Sequence, residues 1–434
     1  MTGPRSNPLS RRTFLASTAA VAAAAGTSMG AAPIARAPKQ ERKTIALIGT
    51  EVRTHSHAQH FIDRFLLGYA WEGEWREPGV DLVSLYVDQF PEGDLARSQA
   101  ARFEVPIYPT IAESLTMGTG SLAVDGVVVI GEHGRYPRNE MGQTRYPRYD
   151  FFKQIVSVFE QSGRSVPVFN DKHLSTDWAE CVEMVEDAKR LDFPFLAGSS
   201  LPVTWRLPAV DMPYGADLRE SVCVGYGGAD SYDFHGLETA QCMSERRKGG
   251  EVGIASVQAL RGKAVWDRVA QSETTARLFL AALSRSHTLP VVNGYPTDPP
   301  SIEWARQVFP NAFAYFIEHR DGFKTTLFMC PVQDFTYAGL IGDEDRVVSC
   351  QMHLPMPGRS ATTADFFNPL VYHIEQMVIE NRAPYPVERT LLTSGMTLAG
   401  VTSLFRNGQV VETPEMEVRY TVPEDSFYVN ADHA

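Results

Sequence analysis

The apolar run Val124-Asp-Gly-Val-Val-Val-Ile130 ends in the polar turn Gly131-Glu-His-Gly134, and the organisation of the chain can be worked out from this stretch. Two similar runs follow, Val166-Pro-Val-Phe-Asn-Asp171 and Phe193-Pro-Phe-Leu-Ala197, with a helix predicted over residues 178–190 between them. Buried runs that alternate with helices predict a parallel sheet, and open sheets of this kind bind ligands at the carboxyl ends of their strands. We therefore expect the chemistry of this protein where these runs end.

Two earlier strands of the same sheet are predicted on the N-terminal side. They are Thr44-Ile-Ala-Leu-Ile48 and Asp81-Leu-Val-Ser-Leu-Tyr-Val87, and Asp88 ends the second. Strands that alternate with helices, with an acidic residue at the end of the second strand, form the Rossmann pattern. The predicted N-terminal domain, residues 43–210, is therefore α/β and Rossmann-like.

The remainder, residues 211–434, shows a different pattern. Strand-like runs dominate it, and two late helices are predicted near 366–380 and 390–404. This order predicts an α+β domain with an open, mainly antiparallel sheet, which would bind substrate. We expect the ligand site in the cleft between the two domains.

Charge and cysteine content narrow the class of protein. The formal net charge is -12, and no basic stripe balances it, which argues against a nucleic-acid partner. The five cysteines are dispersed without a C-x-x-C pair, so neither a full disulfide framework nor zinc-type spacing is indicated. One or two disulfides stay open as an alternative to five small core residues. The expected partner is a small-molecule substrate.

The N-terminus reads as a targeting segment. Ser10-Arg-Arg-Thr-Phe-Leu15 precedes an Ala-rich apolar run, and Ala35-Arg-Ala37 is a candidate cleavage site. Paired arginines before a short apolar segment predict a twin-arginine signal peptide over residues 1–37 and a periplasmic or secreted protein. The apolar run is shorter than the ~20 residues that a membrane span needs, so we expect no membrane association after signal removal. This route carries folded proteins, which suggests a cofactor inserted before export.

The glycine fingerprint of a dinucleotide fold is incomplete. The segment after the first strand is Gly49-Thr-Glu-Val-Arg-Thr-His55, with one glycine where G-x-G-x-x-G is expected. Glu51 and Thr54 occupy the other two glycine positions. A carboxylate at Glu51 would repel a pyrophosphate unless the loop has moved.

Several segments together resemble the Gfo/Idh/MocA oxidoreductase family. Ala100-Ala-Arg-Phe-Glu-Val-Pro-Ile-Tyr108 resembles the family's segment before its third strand, and residues 124–130 resemble its "vDavvi" strand. Val166-Pro-Val-Phe-Asn-Asp-Lys-His-Leu174 occupies the place of its "kpVlcEKPl" motif. Residues 384–389 and 408–412 resemble its C-terminal end.

The resemblance implies an NAD(P) cofactor, a homo-oligomer formed through the second sheet, and roles for particular residues. Asp171 stands for the glutamate of the family motif, Lys172 for its catalytic lysine and His173 for its proline. The family's Asp-x-x-x-His pair is only partly matched by Asp233 and His235, which lie two residues apart. The cofactor residues implied at the strand ends are Gly49, Thr50, Asp88, Gly131, Glu132 and Asp171.

The residues themselves also suggest acid–base chemistry. Lys172 is either a tuned ammonium at a strand end or a surface lysine in a loop. His235 is either a proton-transfer residue, with Asp233 or Asp230 fixing its tautomer, or a buried structural histidine. His133 is a further catalytic candidate because it is a polar residue that closely follows the carboxyl end of a buried strand.

Arginines and tyrosines after Gly134 predict a substrate loop. Arg135 and Tyr136 open this loop, and Arg206 follows the third strand of the opening pattern. Arginine suits carboxylate, phosphate or sugar recognition, although such residues also pair with acidic surfaces.

Three histidines raise the possibility of a metal site, and the alternative is a role in helix capping and packing. His55, His57 and His60 precede or begin a predicted helix, and a third ligand would come from Glu132, His133 or His235. Histidines at a helix start more often cap and pack, so no metal is predicted.

Three functions remain open on this reading. The first is an exported oxidoreductase acting on a sugar, cyclitol or glycoside hydroxyl. The second keeps the fold without redox chemistry, as a lyase or hydrolase with or without a metal. The third is a non-catalytic periplasmic binding protein.

Overall fold

The structure is a computed structural model that describes residues 42–290, 301–342, 345–355 and 364–429. The predicted signal peptide, residues 1–37, lies outside the described residues. The chain from Arg42 onward forms one compact unit that contains two large sheets.

The strands fall into the two sheets and one short hairpin. They are β1 Lys43–Gly49, β2 Tyr69–Trp71, β3 Glu74–Arg76, β4 Val80–Val87, β5 Ile107–Tyr108, β6 Gly126–Ile130, β7 Val168–Asp171, β8 Phe195–Gly198, β9 Arg206–Leu207, β10 Leu218–Gly225, β11 Ile254–Arg261, β12 Phe313–His319, β13 Lys324–Met329, β14 Phe335–Ile341, β15 Arg346–Met352 and β16 Val411–Glu412.

The helices lie between these strands and after them. They are α1 His57–Leu67, α2 Ala96–Phe103, α3 Ile111–Thr116, α4 Arg148–Ser162, α5 Trp178–Arg190, α6 Asp233–Ser244, α7 Lys263–Val269, α8 Glu273–Leu283, α9 Ile302–Val308, α10 Asn368–Glu380 and α11 Glu388–Phe405, with a 3-10 turn at Asp365–Phe367 before α10.

The first sheet has the order β5-β4-β1-β6-β7-β8, and every pairing in it is parallel. With the β2–β3 hairpin set aside, this is the order 3-2-1-4-5-6 of a Rossmann fold. The prediction of a Rossmann-like N-terminal part is confirmed. The order reverses between β1 and β6, and a crevice for a ligand is expected at that switch point.

Alternating side chains of β1 supply both faces of this sheet. Ile45 and Leu47 belong to the core that α1 and α10 cover, whereas Ala46 and Ile48 belong to the core that α4 and α5 cover. Successive residues of a strand point to opposite faces, so a strand buried on both sides reads as a continuous apolar run.

The second sheet has the order β16-β11-β12-β13-β10-β14-β15-β9. Its pairings are antiparallel except that of β10 with β13. The predicted open, mainly antiparallel sheet is confirmed. Residues of α6 and α11 share one apolar core with the sheet, and residues of α7, α8 and α9 share another.

The division of the chain at residue 210 does not match how the elements pack. Strand β9 precedes that position and pairs with β15 in the second sheet. Helix α10 returns to the first sheet, where Leu370 and Ile374 pack in one core with Ile45 and Leu47. The apolar side of α10 is covered by the first sheet, although the helix lies late in the chain.

The cysteines all belong to the interior of the fold. All five cysteines are buried and free, which confirms the interpretation of them as small core residues. Among the described residues, no helix has both the length and the apolar character needed to cross a membrane.

Candidate active site

The candidate site lies where β6, β7 and β8 end, beside the switch point of the first sheet. Glu132 and His133 follow β6, Lys172 follows β7, and Ser199 follows β8. The fifth residue, His235, comes from the first turn of α6. The structure therefore brings together the predicted catalytic candidates Lys172, His235 and His133.

Lys172 is held by its backbone and by three neighbouring groups. Its amide donates to the Gly198 carbonyl, and its backbone has a φ of 70°. Its Nζ lies 2.6 Å from Nε2 of His235 and 3.7 Å from Oε1 of Glu132. The side chain is 5% exposed, so the alternative of a surface lysine is wrong. Its Nζ also lies 5.6 Å from the ring centroid of Tyr232.

The partners of His235 define its tautomer. Nδ1 lies 2.6 Å from Oγ of Ser199. Because a lysine ammonium can only donate, Nε2 accepts from Lys172 and Nδ1–H donates to Ser199. Burial, followed by the charge of Lys172, holds the pKa of His235 well below its usual value, so the ring is a neutral acceptor.

The prediction that Asp233 or Asp230 fixes this tautomer is wrong. The Asp233 carboxylate accepts from the amides of Asp230, Ser231 and Phe234, and from the hydroxyl of Tyr315. It therefore organises the start of α6.

The Asp230 carboxylate faces two other groups. Nε2 of Gln143 donates to it at 2.8 Å, and Nε2 of His173 lies 3.6 Å from it. Asp230 thus links the loop before α4 to the segment after β7.

Glu132 is an anion held between two cations. Its carboxylate lies 3.7 Å from both Nζ of Lys172 and Nη2 of Arg148, and its carbonyl accepts from the Thr50 hydroxyl at 2.6 Å. Burial alone would raise the pKa of Glu132, but Lys172, His57 and Arg148 hold it well below the usual range. Glu132 therefore stays ionised and compensates the charge of Lys172.

Two more histidines, His57 and His133, lie at the same edge of the sheet. Nδ1 of His57 lies 2.7 Å from Oδ2 of Asp171, the last residue of β7. The ring of His57 meets the ring of His133 edge-on, with the centroids 5.6 Å apart. Burial lowers the pKa of His133 to about 4, and its backbone has a φ of 71°.

The three histidines weighed for a metal are separated by their contacts. His57 pairs with Asp171, whereas His60 stacks on Phe367 and has its pKa lowered to about 3, mainly by burial. His55 is exposed and stacks on the outer side of His60. Within the described ranges, no group of three or more histidine, cysteine, aspartate or glutamate side chains is arranged to hold a metal ion.

The predicted cofactor residues at β1 and β4 fit a dinucleotide. The Glu51 carboxylate accepts from Nε of Arg53 at 2.6 Å, so the chain itself neutralises the charge expected to repel a pyrophosphate. Asp88 is exposed just after β4. In Rossmann folds, an acidic residue at this position accepts hydrogen bonds from the ribose of the dinucleotide. The oxygens of Asp88 accept hydrogen bonds from the hydroxyls of Tyr86 and Tyr136 and, at 3.5 Å, from Nε2 of Gln89, and a carboxylate has about four acceptor positions, so one remains for a ribose hydroxyl.

The two predicted substrate arginines lie in different surroundings. Arg135 is exposed, and its amide and carbonyl bond to the side chain of Gln89, which places Tyr136 on Asp88. Arg206 is buried and pairs with Asp211 at 2.8 Å, so the prediction that it binds substrate is wrong. The positive charge of Arg206 is balanced by Asp211 inside the fold.

Gly131 also has a packing role, because a Cβ at this position would overlap the side chain of Arg148. Arg148 is 1% exposed and donates to the carbonyls of Gly131 and His173. Its place in an arginine-rich loop suggested substrate binding, yet it supports the site from within the fold.

One residue of the site, Ser199, and one contact within it were not predicted from the sequence. Ser199 follows a predicted strand, but its contact with His235 depends on how α6 packs against β8. The pairing of Asp171 with His57 was also missed, because the two residues are far apart in sequence. The position of Ser199 at a strand end was the available signal.

Comparisons with known proteins establish the fold. No family model and no curated protein matches the sequence. GenD2 from gentamicin A biosynthesis, solved with NAD, has a TM-score of 0.51 at 13% identity, covering 87% of this chain and 99% of its own. A probable dehydrogenase from Thermotoga maritima has a TM-score of 0.52 at 11% identity, covering 86% and 99%.

A third solved structure is the myo-inositol dehydrogenase of Lactobacillus casei in complex with NAD(H) and myo-inositol. Its TM-score is 0.50 at 12% identity, and the match covers 86% of this chain and 96% of that one. At such identities, the similarity shows a shared two-sheet architecture and nothing further about chemistry.

Proposed function

We propose that this protein is a divergent oxidoreductase of the Gfo/Idh/MocA type that uses NAD(P) and acts on a hydroxyl-bearing substrate such as a sugar, cyclitol or glycoside. The observation that carries this proposal is the 2.6 Å contact between Lys172 and His235 at the carboxyl end of β7. The similar structures support it, since GenD2 was solved with NAD and the L. casei enzyme with NAD(H) and myo-inositol.

Residues at the ends of β1, β4 and β6 would hold the dinucleotide. Asp88 is placed to accept a hydrogen bond from a ribose, while Gly49 and Thr50 line the switch point of the sheet. A bound nicotinamide supplies the chemistry of accepting or donating a hydride.

Lys172 and His235 move the hydroxyl proton. When a secondary alcohol is oxidised, the hydroxyl proton must leave as the carbonyl forms, and Lys172 would accept it as one of its ammonium protons passes to Nε2 of His235; in the reverse direction the ammonium would donate it. His235 takes part through Nε2, while Ser199 keeps Nδ1 protonated. Glu132 keeps a fixed negative charge beside Lys172. Lys172, His235 and Ser199 are buried, so the proton transfer would be shielded from bulk water.

One observation favours the second function, a lyase or hydrolase without redox chemistry. The Asp171–His57 contact of 2.7 Å places a second carboxylate-oriented imidazole at the same edge of the sheet. Such a pair can remove a proton from a substrate without a nicotinamide.

We also propose that the chain is exported by its twin-arginine segment. The support is the sequence Ser10-Arg-Arg-Thr-Phe-Leu15 and the apolar run after it. A folded protein that carries a nucleotide would suit this route, so export and cofactor use are mutually consistent.

The test is native mass spectrometry of protein purified from its own host, followed by a polyol and sugar panel. Co-purifying NAD(P), with cofactor reduction by at least one polyol or sugar, is the expected result. Protein that neither carries nor binds NAD(P), yet cleaves or dehydrates a substrate, would overturn the oxidoreductase proposal in favour of the second function.

A further inference from the structure

Three nitrogen-bearing side chains converge where β1 and β6 end. His57 and His133 are in edge-on ring contact, and Arg53 belongs to the same β1–α1 connection as His57. His57 and Arg53 both contribute to lowering the pKa of His133, after the larger effect of burial. Nδ1 of His133 is buried and has no hydrogen-bond partner among the described residues. The two rings are thus in direct contact, and the electrostatic effect on His133 indicates that Arg53 lies near them.

Two of these groups are held in place by carboxylates. Nε of Arg53 donates to Glu51 at 2.6 Å and its Nη1 donates to the Thr54 carbonyl at 3.3 Å, yet the side chain stays 41% exposed. His57 is oriented through Nδ1 by Asp171, which leaves Nε2 for another partner. The carboxylates fix the orientation of these donors before a ligand arrives.

We propose that Arg53, His57 and His133 form an anion site that binds the pyrophosphate of a dinucleotide by side chains, in place of a glycine-rich backbone. The identity of the ligand rests on the proposed function, whereas the anion site itself does not. Arginine makes charge-assisted hydrogen bonds to phosphate oxygens, and an imidazole N–H can donate a further hydrogen bond to them. A loop that binds through such side chains does not need the second and third glycines that Glu51 and Thr54 replace.

The test is isothermal titration calorimetry of the full chain with NAD⁺, with inorganic pyrophosphate and with adenosine, which lacks phosphate. The variants are Arg53→Gln and His57→Gln. Arg419→Gln is the matched control, because Nε of Arg419 donates to Glu417 two residues earlier at 3.1 Å, repeating the Arg53–Glu51 arrangement on an exposed surface. Thermal unfolding of each variant establishes that it is folded.

The expected result is a Kd for NAD⁺ that rises about tenfold or more in Arg53→Gln and His57→Gln, with no change in Arg419→Gln. Folded variants that bind NAD⁺ as tightly as the wild type would overturn the anion site and leave the oxidoreductase proposal standing. Pyrophosphate binding that both variants lose, in a protein that binds no dinucleotide, would support the site and refute the cofactor. Binding of neither would refute both.

Discussion

Oγ of Ser199 lies 2.6 Å from Nδ1 of His235, and this contact leaves Nε2 of the same ring to face Lys172. A serine after one strand thus determines which nitrogen of a distant histidine is available. Asp233, two residues from His235, has no part in this because its carboxylate is used by the start of α6.

Replacing Ser199 with alanine should weaken catalysis without unfolding the protein. Nδ1 of His235 would lose its partner, and an unpaired buried donor costs about 1–3 kcal/mol, so the alternative tautomer becomes populated. We expect kcat to fall about tenfold, with the Kd for NAD⁺ unchanged. The adjacent buried Ser200→Ala is the control. Equal kcat values for the two variants would remove Ser199 from this role.

Replacing Lys172 with methionine should nearly abolish turnover. Loss of a positioned proton donor or acceptor typically costs about 10²–10⁴-fold in rate. Cofactor binding, measured by calorimetry, should persist because Lys172 lies at the β7 end of the site. Lys153→Met is the control, since Lys153 forms ion pairs along α4 and α5. Substantial hydride transfer by Lys172→Met would contradict the proposed mechanism.

Arg148 should matter for stability more than an exposed arginine does. In Arg148→Met the carbonyls of Gly131 and His173 lose their donor, and Glu132 loses one of its cations. Two buried carbonyls without a donor and a weakened ion pair should together lower the free energy of unfolding by about 3–5 kcal/mol, to be measured by urea unfolding. Arg164→Met, at a side chain 49% exposed, should cost less than about 1 kcal/mol. If the free energy of unfolding falls by a similar amount in the two variants, the burial of Arg148 does not increase its contribution to stability.

Glu238 should make stability depend on pH. Burial raises the pKa of this carboxyl, which accepts from Thr393, from the usual 4.5 to about 7. The folded state binds the proton more tightly than the unfolded state. The contribution of Glu238 to the free energy of unfolding is therefore complete below pH about 4.5. It is lost as pH rises through about 7, and the total change is roughly 3 kcal/mol.

The isosteric variant Glu238→Gln should flatten this dependence in chemical unfolding measured between pH about 4.5 and about 8. It should also be more stable than the wild type at the upper end of that range. A wild type and variant with parallel stability–pH curves would show that Glu238 does not titrate there.

Export should depend on the paired arginines. Substituting lysine for both Arg11 and Arg12 should leave full-length precursor in the cytoplasm, because this targeting signal requires the arginine pair. Cell fractionation with immunoblotting measures the distribution. Unchanged delivery of the double variant to the periplasm or medium would rule out the twin-arginine route.

Much of the first sheet could be predicted because buried parallel strands read as apolar runs. Residues 178–190, predicted as a helix, match α5, and the predicted Lys172 does lie at a strand end beside His235. Periodicity and strand order are local or nearly local properties of the chain, so they are visible without a structure.

Contacts between distant elements were not visible in the same way. Ser199 meets His235 only because α6 packs against the end of β8, and Arg206 is buried only because Asp211 and the second sheet enclose it. Strands β10 and β14 were not predicted either, although they lie side by side in the middle of the second sheet. Charged Arg219 and Glu220 interrupt the apolar run of β10.

Lys172 and His133 both have a left-handed backbone, with φ of 70° and 71°. Residues other than glycine pay about 1–2 kcal/mol for that conformation, so a chain shaped by folding alone would favour glycine at both strand ends. The two side chains thus sit on strained backbone that the surrounding sheet must absorb. Backbone strain and activity are coupled at these positions: a glycine in either place would relieve the strain but would remove a side chain that the site uses.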